Sequence, residues 1–99
     1  MISVDIVITV YDGFDDVRRC LASVLVRVDN RWARLVVVND ASPNPKITDY
    51  LRDLAGQRDA MVLLENPQNL GFVATANRGM REGPERDVLL LNSDVEVSN

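Results

Sequence analysis

Ninety-nine residues, 46% hydrophobic and 26% charged, suit one globular domain, which at this size buries roughly 60 to 68% of its unfolded surface. A net charge of −4 argues against a phosphate-backbone binder, the lack of histidine excludes histidine catalysis and histidine metal sites within the chain, and the single Cys20 excludes an internal disulfide. No apolar run is long enough to span a bilayer and Met1 to Asp5 lacks a positive n-region, so neither nucleic acid nor membrane insertion is expected, and a cytoplasmic setting is.

The first element is Ile6 to Val10, a β-branched run too short for a helix and apolar on both faces, as a buried parallel strand is. Asp12-Gly13 ends it. Val17, Cys20, Leu21, Val24, Leu25 and Val28 then repeat at helical spacing along one stripe, with Asp15 and Asp16 at the end where a helix favours negative charge. Leu35 to Val38 is the second strand. Asn44 before Pro45 has the form of an N-cap with proline at the first helical position, and Ile47, Tyr50, Leu51, Leu54 and Ala55 keep helical spacing up to Gly56.

Met61 to Leu64 makes a third strand, closed by the polar turn Asn66-Pro67-Gln68-Asn69. A third helix is expected to bury Phe72, Val73, Ala76 and Met80 on one face, although Gly71 and Gly79 weaken it, and Gly83-Pro84 ends it. Asp87 to Leu91 is the fourth strand. Strands and helices alternating through short connections call for an α/β fold, a Rossmann-like three-layer sandwich around one parallel sheet of four strands, for which the order 3-2-1-4 is preferred. Residues 1–99 form one domain. Asp15, Asp16, Arg18 and Arg19 read as solvated helix surface, and Trp32 as packing at the entry to the second strand.

Parallel strands bring the segments that follow them to one edge, where open α/β sheets bind ligands. Four such segments carry chemistry. Asp40, in Val38-Asn39-Asp40-Ala41-Ser42, could accept a hydrogen bond from a ring N–H, and a turn cap accounts for the same residues equally well. Tyr11 could stack on a base or simply pack. Asn69, Gly71 and Asn77 could bring backbone N–H groups and an amide to a phosphate at a helix N-terminus, or form no more than a glycine turn and a polar helix position. Asn92-Ser93-Asp94-Val95-Glu96 places hard oxygen ligands suited to Mg²⁺ or Mn²⁺ after three leucines, with Asp94 the first candidate and Glu96 the second; a solvated loop is the plain alternative. Neither G-x-G-x-x-G nor G-x-x-x-x-G-K-[ST] is present, which removes dinucleotide enzymes and P-loop NTPases.

Together, Val7 to Gly13, Arg19 to Leu25, Val37 to Ser42, Asn66 to Asn77 and Leu90 to Val97 resemble the nucleotide-sugar-binding half of family 2 glycosyltransferases, which have the GT-A fold. The resemblance covers nearly the whole chain. It implies transfer of a sugar from a nucleotide-diphosphate donor, of UDP or dTDP type, to an acceptor hydroxyl, with inversion at the sugar carbon. It further implies that Thr9 and Tyr11 line the base pocket, that Asp40 binds the pyrimidine ring N–H, that Asn92 and Ser93 lie at the donor, and that Asp94 closes a D-x-D-like metal motif. Asn92 replaces the first Asp of that motif, and Asn-x-Asp with a following acidic residue is similar to the rhamnosyltransferase-like branch, which acts on cell-envelope polysaccharide at the cytosolic face of the membrane. In the family the acceptor site and the catalytic carboxylate base lie beyond the metal motif, so no catalytic residue is expected within this chain and the base is expected beyond Asn99. Residues 1–99 are accordingly expected to stop short of that half, to be inactive alone, and to dimerise through the border strand left bare. Two rival readings stand beside this one: a non-catalytic nucleotide or nucleotide-sugar binding module, and a flavodoxin-like interaction domain.

Overall fold

A computed structural model describes residues 4–29 and 31–93. They alternate as β1 (Val4–Val10), α1 (Phe14–Arg27), β2 (Ala33–Asn39), α2 (Pro45–Gly56), β3 (Met61–Glu65), α3 (Phe72–Arg81) and β4 (Asp87–Asn92). The four strands form one sheet in the order β3-β2-β1-β4, every pair parallel, so the expected order 3-2-1-4 holds. Passing from β3 to β4 takes the chain across the sheet from one border to the other, which puts the switch of direction between β1 and β4.

Strand alternation divides the core into two layers. Ile6, Ile8, Val10, Leu35 and Val37 meet Val17, Cys20, Leu21 and Val24 of α1 and Ile47 and Leu51 of α2, all buried in one cluster. Val7, Val36 and Val38 point to the opposite face, against Met80 of α3. The helical caps follow local chemistry. Asn44 accepts from the backbone N–H of Lys46 at 3.0 Å with Pro45 at the first helical position, as its sequence predicts.

The third helix is rotated from the expected setting. Its buried residues are Thr75, Ala76 and Gly79, while Phe72 and Val73 face outward. Close approach decides this: a Cβ on Gly79 would lie 2.5 Å from Val7 Cγ1 and 3.1 Å from Val38 Cγ2, so glycine lets the helix sit directly on the sheet. Trp32 also differs from expectation, standing 45% exposed before β2.

One charged residue lies fully inside the sheet. Asp5 accepts from Arg34 Nε (3.0 Å) and Nη2 (2.8 Å) on the neighbouring β2, and from Arg86 Nη1 (3.2 Å) just before β4. Buried charge is tolerable only when paired and hydrogen-bonded, and here the pairing joins three strands at the end of the sheet remote from Asp40. Sequence reasoning misses it because Asp5 resembles the polar start of a strand.

Candidate functional site

The carboxyl ends of β1, β2 and β4 open onto a cavity of about 580 Å³, within the range of small-molecule sites. Of the eight candidate donor residues, seven line it: Thr9, Tyr11, Asp40, Asn69, Gly71, Asn92 and Ser93. The eighth, Asn77, stands exposed on α3 and is not part of the lining. Asp94 and Glu96, the candidate metal ligands, lie outside the described residues, and so does Asn99, beyond which the catalytic base is expected. Five further residues complete the wall, Val10, Asp12, Asp16, Phe72 and Thr75, and sequence reasoning singles out none of them as a site residue.

Asp40 organises this edge. Its backbone N–H donates to the Val10 carbonyl at 2.7 Å, which ties the end of β2 to the end of β1, and Ala41 then turns the chain at φ +55°. The side chain is only 4% exposed and takes four hydrogen bonds from the β3–α3 loop. Asn66 Nδ2 (2.9 Å) and Leu70 N (2.7 Å) donate to Oδ1, while Asn69 Nδ2 (2.9 Å) and Gly71 N (3.0 Å) donate to Oδ2. Thus the N–H groups of Leu70 and Gly71, expected to face a phosphate, are turned onto a carboxylate of the chain itself. Burial raises the Asp40 pKa and the bonds from Leu70, Asn66 and Gly71 outweigh that, so the carboxyl titrates below its ordinary value.

A second tier holds the donors in place. Asn66, itself buried, also donates to Thr75 Oγ1 at 3.0 Å and accepts from Arg78 Nη1 at 2.6 Å, so its amide orientation is set on both sides. Gly71 caps α3 at φ +89°, a backbone setting that side-chain-bearing residues rarely adopt. Spacing alone could not reveal these partners, because Asn66, Asn69 and Asp40 meet only once β2 and β3 are paired.

At the other side of the cavity Thr9 Oγ1 donates to Asn92 Oδ1 at 3.3 Å, joining neighbouring positions of β1 and β4, and Cys20 Sγ reaches the Asn92 carbonyl at 3.7 Å. Asp16 forms an ion pair with Arg19 at 2.6 Å on the solvated face of α1, as expected for that surface. Among the described residues no group of three or more Asp, Glu, Cys or His side chains gathers as a metal site, and the Asn92 side-chain oxygen already accepts from Thr9. These residues do not assemble a cation site on their own.

A parallel sheet with helices on both faces and a polar cavity at its switch point defines a ligand-binding class of open α/β domain. Within it, the chain belongs to glycosyl transferase family 2, whose sequence profile matches residues 5–99. No curated protein sequence matches significantly. Solved structures share the fold. The mannosyltransferase PcManGT from Pyrobaculum calidifontis, in complex with GDP-Man and Mn²⁺, is 18% identical with a TM-score of 0.85, covering 98% of this chain and 29% of that one. GalNAc-T7 with UDP, GalNAc and Mn²⁺ is 18% identical at a TM-score of 0.83, over 99% of this chain and 19% of that one. S. aureus TarS 1-349 is 16% identical at 0.80, over 98% and 29%. The chain therefore spans less than a third of each of these GT-A glycosyltransferases.

Proposed function

We propose that this chain is the donor-binding half of an inverting glycosyltransferase that moves a sugar from a nucleotide diphosphate to an acceptor hydroxyl. The observation that carries the reading is the convergence of Thr9, Tyr11, Asp40, Asn69, Gly71, Asn92 and Ser93, drawn from four separated segments, on one cavity. UDP or dTDP is the favoured carrier. The Asn92-Ser93-Asp94 sequence with Glu96 behind it supports the rhamnosyltransferase-like branch and a role in cell-envelope polysaccharide at the cytosolic face of the membrane. None of the helices among the described residues is long and apolar enough to cross a membrane.

In this reading Tyr11 stacks on the base and Asp40 receives its ring N–H. An ionised carboxylate offers about four lone-pair sites, and those of Asp40 are all taken. The ring N–H must therefore replace one donor, and the Asn69 amide, on an exposed residue, is the one free to swing away. Asp94, with Glu96 second, would hold Mg²⁺ or Mn²⁺, which when bound neutralises charge on the departing diphosphate. The base that deprotonates the acceptor belongs to a segment beyond Asn99, so the isolated chain binds donor weakly and transfers nothing. Bare β4 also makes a homodimer the expected state.

Isothermal titration with UDP, dTDP and GDP, with and without Mn²⁺, tests the reading. Binding of at least one diphosphate, strengthened by Mn²⁺ and losing that gain in Asp94→Asn, is expected. Flat titrations for all three would remove the donor site, and sugar transfer by residues 1–99 alone would remove the division of labour.

A further inference from the structure

Phe72 is expected from its spacing to lie in the core and instead stands 48% exposed at the first position of α3, in the wall of the cavity that also holds Tyr11 (46% exposed) and Asp40. We propose that Phe72 is the second aromatic wall of a nucleobase subsite, so that a planar base is held between Phe72 and Tyr11 above Asp40. The inference rests on the donor reading above and adds a residue to it.

Three observations support the assignment. Phe72 is fixed from both sides: Leu70 N and Gly71 N before it are clamped to the Asp40 carboxylate, and Thr75 N after it donates to Gly71 O at 3.1 Å. An exposed ring on so restrained a backbone is preorganised for a flat partner, which lowers the ordering cost of binding. Next, the chain has two Phe, two Tyr and one Trp, and the others are accounted for elsewhere. Phe14 and Tyr50 meet edge to face at 6.0 Å, and Trp32 precedes β2, at the far end of that strand from Asp40. Finally, charge orients the ligand. Asp12 and Asp40 share the lining with Tyr11 and Phe72 and repel a diphosphate, so the uncharged base takes this part of the cavity and the phosphates extend toward Asn92 and Ser93.

The test compares Phe72→Ala, Phe72→Trp and, as control, Val73→Ala, whose side chain is 71% exposed and outside the lining. Base stacking on an aromatic ring sets the scale, and Phe72→Ala is expected to weaken UDP and GDP binding roughly 10-fold or more. Phe72→Trp retains affinity, and Val73→Ala leaves it unchanged. In a Trp32→Phe background the new indole reports contact directly, its fluorescence falling as UDP is added. Undiminished affinity in Phe72→Ala, an equal loss in Val73→Ala, or emission from Phe72→Trp that ignores bound UDP overturns the second wall while leaving the donor site standing. Failure of the unaltered chain to bind any nucleotide overturns both.

Discussion

Asp40 carries four hydrogen bonds on one carboxylate, so its replacement is a test of the whole loop from Asn66 to Gly71. In Asp40→Asn the new amide keeps one accepting oxygen and turns an NH₂ toward two of the four donors, which are then left unpaired. The expected cost is about 2 to 4 kcal/mol, from one to two buried donors losing their acceptor. Faster hydrogen exchange at the Leu70 and Gly71 amides should accompany it. The pH dependence has a definite sign. Because the folded Asp40 titrates below its ordinary 3.8, its stabilisation is complete above that value and is lost as pH falls through the lower folded pKa. Urea denaturation should therefore show a gap between native and Asp40→Asn chains that is constant from pH 7 to about 5 and narrows in stronger acid. A gap that stayed the same at every pH, or widened in acid, would show that the carboxylate charge is not what holds the loop.

At the level of the elements, two glycines near helix ends and interiors should respond oppositely to the same change. Gly56 ends α2 with nothing within 4 Å of an added Cβ, so Gly56→Ala is expected to stabilise by about 0.5 to 1 kcal/mol through helix propensity. Gly79→Ala gains the same propensity and drives its methyl into Val7 and Val38, so overpacking wins and the net effect is a loss of about 1 to 2 kcal/mol. Thermal denaturation of the two variants decides it, and stabilisation by Gly79→Ala would mean that α3 does not sit as close to the sheet as described. This pair also shows where legibility stops. Strands β1 to β4 and helices α1 and α2 announce themselves through short apolar runs, β-branched in β1 and β2, and a continuous apolar stripe, signals that need no knowledge of neighbours. The face of α3 does not, because what buries Thr75 and Gly79 is the shape of the sheet surface below them, and hydrophobicity therefore points to Phe72 and Val73. The same limit applies at the cavity. Tyr11, Asp40 and Asn92 are readable because each follows a strand, whereas the pairing of Asp40 with Asn66 and Asn69, and of Asp5 with two arginines, exists only in three dimensions.

Taken as a whole, the molecule is covered unevenly. Register puts Leu89 on the face shared with Ile6 and puts Val88 and Leu90 on the face shared with Asp5 and Val7, and all three are exposed. From Val88 to Leu90, strand β4 is thus exposed on both faces and, among the described residues, it pairs only with β1. A border strand with unused N–H and C=O groups and an apolar surface is a template for another strand, and the one always present in a pure sample belongs to a second copy. Two β4 strands meeting about a twofold axis would extend the sheet from one protomer into the other and set Val88 and Leu90 on one face, and Leu89 on the other, beside their counterparts in the second copy. Light scattering at increasing concentration should therefore show the 99-residue chain passing from monomer to dimer. Leu89→Lys with Leu90→Glu should abolish this without unfolding the protomer, since both positions are solvated in it and charges on a border strand oppose pairing. A chain that stays monomeric at every concentration would remove β4 as an interface, and a dimer indifferent to the double variant would move the contact to another surface.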